Sequence, residues 1–196
     1  CNFYQYIIKE RNKIKMNTLS TTKKSIICAI CIALCYIFPM IFHVFGAGAI
    51  FCPMHIPVFI CGLICGWPYG LMCGLTGPVI SCVLTSMPPV AMLPSMIVEL
   101  ITYGVVSGLL ITYIHTKNTY ADLYICLITA IVCGRILSGI AKAVLFTGGN
   151  YSIAIWISSS VVTNWPGTLI QLIFIPSILV GLMKAHLIPQ RYIKKM

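Results

Sequence analysis

Charged residues are scarce in this chain of 196 residues, and negative charge is almost missing. Only 8% of the residues are charged, and three acidic residues stand against thirteen Lys and Arg, whereas 59% are hydrophobic. A water-soluble domain usually carries about a quarter charged residues on its surface. The shortage therefore excludes a soluble globular protein, and most of the surface of this chain must face lipid.

Sequence motifs of catalysis are also missing. The chain has no P-loop, no nucleophile elbow and no HExxH pattern. Its histidines lie near the ends of apolar runs without a partnering nucleophile or metal cluster, at His43, His55, His115 and His186. The longest polar stretch, about two dozen residues at the N-terminus, is too short for a soluble domain. We therefore expect a non-enzymatic protein, and any ATPase must be another chain.

Cysteine is abundant, but its positions do not fit a disulfide scaffold or a metal site. Nine of the eleven Cys lie inside apolar runs, where a thiol packs as a small hydrophobic group. Cys28-x-x-Cys31 resembles half of a zinc site, yet no second Cys or His pair completes it. The sequence therefore predicts buried packing cysteines, no metal and no cofactor.

Six apolar runs follow one another along the chain, and about 20 residues suffice to cross a bilayer. They cover residues 25–43, 57–67, 69–86, 92–114, 123–146 and 153–183. We predict an all-α membrane protein, a bundle of six transmembrane helices. The second and third runs are short, and Pro68 marks the expected break between them. Because this break need not lie at a membrane surface, a re-entrant pair of helices is the alternative there.

Basic residues give the orientation of the bundle. Lys and Arg lie before the first run, at Lys117 between the fourth and fifth, and after the last, whereas the alternate connections carry none. Because cytoplasmic loops are enriched in these residues, we predict that both termini are cytoplasmic. Residues 1–23 then form a basic cytoplasmic segment, whose part before Met16 is interpreted as an upstream extension or a fragment artefact. Residues 24–186 hold the transmembrane domain, and residues 187–196 form a basic cytoplasmic tail.

Three residues of fixed charge remain inside the predicted spans, namely Glu99, Arg135 and Lys142. Such residues are costly in lipid, so each should face the bundle interior or a water-filled cavity. At roughly 1.5 Å per residue, Glu99, Arg135 and Asn164 lie about 10 to 15 Å below the outer ends of their helices. Glu99 and Arg135 could form a structural ion pair while Lys142 reaches the outer headgroups. They could also line a ligand pocket, and both interpretations are compatible.

In the pocket interpretation, Arg135 or Lys142 meets an anionic group, and Glu99 and Asn164 orient hydrogen-bond donors. Tyr103, Trp165 and Met87 would supply apolar walls. His55, beside the second span, would either contact the ligand or lie at the membrane interface.

Several motifs in this order resemble the substrate-binding S component of an energy-coupling factor (ECF) vitamin transporter, from about Met16 onward. The similarity rests first on the pair Ala29-x-x-x-Ala33. It rests further on four later segments: residues 54–58 leading into 61–62 and 66–70, then 85–89, then 99–104, and last 165–167 with Gln171 and Ile175-Pro176.

This resemblance implies a multi-pass protein of the cell membrane that binds a water-soluble vitamin or related micronutrient at its outer side. It further implies inward delivery with a transmembrane T component and two ATP-binding cassette ATPase subunits. No nucleic-acid partner is expected, because the basic residues lie at the chain ends and not on a face interleaved with aromatic residues. By motif, Ala29 and Ala33 would meet the T component, and by position Glu99, Tyr103, Arg135, Asn164 and Met87 would contact the ligand. An excess of basic groups favours a vitamin with a carboxylate, such as pantothenate or a niacin-like compound. If Glu99 and Arg135 instead pair with each other, the site is neutral and suits an uncharged or cationic vitamin equally well. A self-contained secondary transporter or channel for a small polar solute is the alternative, although the sequence shows no internal repeat.

Overall fold

The computed structural model describes residues 19–44, 53–86, 88–114, 116, 118–145 and 165–188. Within these ranges the chain forms six helices and no strand. In chain order they are α1 (Thr21–Val44), α2 (His55–Cys65), α3 (Trp67–Thr85), α4 (Leu93–Tyr113), α5 (Thr119–Leu145) and α6 (Trp165–Lys184). All except α2 are long and apolar enough to cross a membrane, which confirms the predicted helical membrane bundle.

The second helix has the predicted length but begins and ends two residues earlier than the predicted run 57–67. α2 covers eleven residues, too few for a full crossing at roughly 1.5 Å per residue. The break lies at Gly66 and not at Pro68, because Gly66 has φ 94°, a conformation that glycine adopts without strain. Pro68 instead occupies the first turn of α3, where its missing N–H leaves no helical hydrogen bond unmade.

Close backbone contacts place α4 at the centre of the bundle, against α2, α3 and α5. Gly70 of α3 faces Gly104 of α4 so closely that a Cβ on either would overlap the other backbone. A Cβ at Gly74 would lie 2.6 Å from the carbonyl oxygen of Leu100, and one at Gly62 would lie 2.5 Å from that of Gly104. Small residues thus bring three helices together, as in membrane bundles generally.

Cysteine side chains fill the contact of α1 with α2 and α3. Cys28 and Cys61 both donate to the carbonyl oxygen of Tyr69, at 3.7 and 3.4 Å. Cys35 donates to the carbonyl oxygen of Met54 at 3.7 Å, which joins the later half of α1 to the start of α2. The described cysteines are free thiols, and no group of three metal-ligating side chains forms within the described ranges.

These contacts fix the relative directions of the helices. Because α3 and α5 run antiparallel to α4, their ends lie beside its start. The start of α2 lies there too, as does the first half of α6 through Gln171. We call this end of the bundle the site end; the distribution of Lys and Arg predicts that it faces outward.

Candidate functional site

The carboxylate of Glu99 lies at the site end and is held by two hydroxyl groups. Tyr103, one helical turn further along α4, donates to Glu99 Oε1 at 2.6 Å. Ser138 of α5 donates to Glu99 Oε2 at 3.1 Å. Each carboxylate oxygen therefore accepts one hydrogen bond from a neutral donor, and the bond from Ser138 links α5 to α4.

The ring of Tyr103 is 1% exposed and is enclosed between α2 and α5. Phe59 of α2 stacks on it with ring centroids 4.7 Å apart, and His55 meets it edge-on at 5.2 Å. Gly134 of α5 lies against the same ring, and a Cβ there would overlap Tyr103 Cε1. Aromatic packing and the absence of one side chain thus give the ring a single position.

Two further polar contacts bring α6 into the cluster. Arg135 Nη2 of α5 donates to Thr168 Oγ1. Gln171 Nε2 lies 3.2 Å from His55 Nδ1, and both side chains are buried. Because both contacts reach α6 from other helices, polar side chains and not only apolar packing set the position of α6 at this end.

The charges of the cluster are unbalanced towards positive. Arg135 and Lys142, both half-buried on α5, outnumber the half-buried Glu99. Both cations and Glu99 lie near enough to His55 to interact with it electrostatically. Ten residues separate Arg135 from the last residue of α5, about 15 Å, and Lys142 lies closer to that end. The cluster can therefore hold an anionic group that enters from the site end.

The model of the family described as "ECF transporter, substrate-specific component" matches residues 23–188. This chain belongs to that family. No curated protein and no solved structure matches it. The S component is thus a multi-pass protein of the cell membrane and the substrate-specific membrane subunit of an ECF transporter. Members of the family are transporter subunits and not enzymes.

Five of the residues that the sequence proposed for the site of this S component lie together in the structure. They are His55, Glu99, Tyr103, Arg135 and Lys142. Met87 and Asn164 lie outside the described residues. Trp165 is the first residue of α6 and is 56% exposed.

The proposed docking residues of the S component lie on a different surface. Ala29 and Ala33 are exposed on α1, one turn apart, between exposed Ile26, Ile30 and Ile37. Cys28, Cys31 and Cys35 occupy the opposite, buried side of the same helix. This small-residue surface of α1 is therefore open to a helix from another subunit.

Four further residues of the S component contact this cluster, although the sequence did not propose them for the site. They are Phe59, Ser138, Thr168 and Gln171. A weak signal existed, because Thr168 and Gln171 follow Asn164 at helical spacing and Ser138 lies between Arg135 and Lys142. Phe59 has no such signal, since an aromatic residue in an apolar run is ordinary packing.

Proposed function

We propose that this S component captures a water-soluble vitamin that carries a carboxylate, such as pantothenate or a niacin-like compound, at its outer side. The excess of two half-buried cations over one carboxylate in the cluster supports this substrate class. A guanidinium offers two parallel N–H groups to a carboxylate, and a lysine adds a second positive charge.

The rest of the ligand would lie toward Glu99 and α6. Glu99 accepts bonds from two hydroxyls and keeps further lone pairs, so a hydroxyl or N–H of the vitamin can donate to it. Asn164 would orient a second polar group, and Met87 and Trp165 would contribute apolar contact. A ligand with an anionic end and a neutral donor at some distance from it fits this arrangement.

Inward delivery would require a transmembrane T component and two ATP-binding cassette subunits. The exposed alanines Ala29 and Ala33 support docking of the T component on α1, because small side chains let two helix backbones approach closely. The binding cluster lies at the site end and is formed by residues of α2, α4, α5 and α6. One subunit could therefore hold the substrate and the T component on separate surfaces.

Calorimetry tests this function directly. A panel of water-soluble vitamins is titrated into the purified, detergent-solubilised protein without partners and without ATP. We expect saturable one-to-one binding of one vitamin with nanomolar affinity, about −12 kcal/mol. Absence of binding across the panel, in protein whose circular dichroism shows intact helices, would contradict the proposal. Transport in liposomes without any ATPase would instead indicate a self-contained transporter.

A further inference from the structure

Tyr103 is the residue about which the cluster is organised. Its hydroxyl donates to Glu99 at 2.6 Å, yet the side chain is only 1% exposed. A buried hydroxyl that lost this acceptor would have no water to replace it, so the bond is costly to break. Position i and position i+4 on a helix face the same way, which lets the two side chains meet without bending α4.

Gly134 is what allows the ring to reach this position. A Cβ added at Gly134 would lie 2.6 Å from Tyr103 Cδ1 and still closer to Cε1. Phe59 covers a face of the ring and His55 contacts it edge-on, so the ring cannot yield without losing these contacts. A side chain on α5 at this point would therefore displace the hydroxyl from Glu99.

Ser138, one turn beyond Gly134 on α5, holds the second oxygen of Glu99 at 3.1 Å. With one neutral donor on each oxygen, the carboxylate is fixed in orientation and still has lone pairs to accept a further hydrogen bond. Preorganised acceptors bind a ligand better because the cost of ordering them is met in folding.

We propose that Tyr103 is a positioning residue for substrate binding, seated by Gly134, which together with Ser138 fixes the Glu99 carboxylate to accept a hydrogen bond from the substrate. This inference depends on the proposed function, since it assumes that the cluster binds the vitamin. It assigns Tyr103 an action through Glu99, whereas direct contact of its hydroxyl with the ligand is the alternative.

A double-mutant cycle distinguishes these two actions of Tyr103. The probe is whichever of pantothenate and nicotinate binds the unmodified protein, with affinity measured by calorimetry. We expect Tyr103→Phe to weaken binding about tenfold and Glu99→Gln about a hundredfold, the scale of hydrogen bonds to a charged group. In the Glu99→Gln background, Tyr103→Phe should then change the affinity less than twofold. A full tenfold loss in that background, or no loss from Glu99→Gln alone, would overturn the inference.

Two matched glycine substitutions test whether Gly134 makes room for the ring of Tyr103. Gly134→Ala should weaken binding at least tenfold, whereas Gly181→Ala on α6, where a Cβ meets nothing within 4 Å, should leave affinity unchanged. Unchanged affinity in Gly134→Ala would contradict the assigned role of the glycine. If Gly134→Ala does not fold, Tyr103→Phe still decides the inference. Failure of the unmodified protein to bind any vitamin would contradict the proposed function instead.

Discussion

Replacing Arg135 by alanine is the sharpest test of how the substrate is recognised. Arg135 is half-buried and donates to Thr168, so its guanidinium is oriented before a ligand arrives. Removing one partner of a buried charge pair costs about 2 to 5 kcal/mol. Because Arg135 is only half-buried and Lys142 remains, we expect the lower part of that range, about 2 to 3 kcal/mol or roughly 30- to 150-fold in Kd.

The assay is calorimetric titration with the vitamin that binds the unmodified protein. Arg135→Lys serves as the matched control, since it keeps the charge and loses the planar fork, and we expect about tenfold weaker binding. An analogue with an amide or alcohol in place of the carboxylate should lose about as much affinity as Arg135→Ala does. For the Arg135→Ala variant, replacing the vitamin by this analogue should lower the affinity only slightly further. Equal affinity of Arg135→Ala and unmodified protein would refute recognition of a carboxylate by this residue.

Three further predictions concern packing, docking and the connection between α4 and α5. Gly104→Ala should lower the free energy of unfolding by about 1 to 3 kcal/mol, because the added Cβ overlaps the backbone of α3, whereas Gly181→Ala should raise it by up to about 1 kcal/mol. Thermal unfolding in detergent measures both changes, and equal effects of the two substitutions would contradict the packing described here. Ala33→Trp should leave vitamin binding intact and abolish copurification with a T component, unlike Val132→Trp on the exposed side of α5. Asp122→Ala should destabilise the protein by about 1 to 3 kcal/mol. The fully buried carboxylate of Asp122 accepts hydrogen bonds of 2.8 Å from the backbone N–H and 2.6 Å from the hydroxyl of Thr116, and the substitution removes both. An unchanged unfolding midpoint would count against this stabilising role of Asp122.

Hydroxyl residues show why part of the site could not be predicted. Thr76 and Ser177 donate back to carbonyl oxygens of their own helices, each at 2.7 Å. Ser138 and Thr168 look the same in sequence, yet they contact Glu99 and Arg135 on other helices. Whether a hydroxyl bonds to its own helix or to a side chain on another helix depends on how its helix is rotated about its axis. The hydropathy pattern does not determine that rotation.

The break between α2 and α3 has a similar cause. Proline usually breaks a helix, but Pro68 lies in the first turn of α3, where a missing N–H leaves no helical hydrogen bond unmade. The reversal falls on Gly66, since only a residue without a Cβ adopts its positive φ freely. Both residues stand within the predicted junction, so the existence of a break was predictable and its position was not.

By itself the sequence determined the membrane class and the six helices of the described ranges, and it singled out the charged residues that the structure half-buries. These properties depend on the transfer of each residue from water to lipid, which is largely local and additive along the chain. Only the tertiary structure decided that Tyr103 lies between Phe59 and Gly134 and that its hydroxyl meets Glu99. Such contacts depend on how closely two helix backbones approach, and here glycines far apart in the chain set that distance.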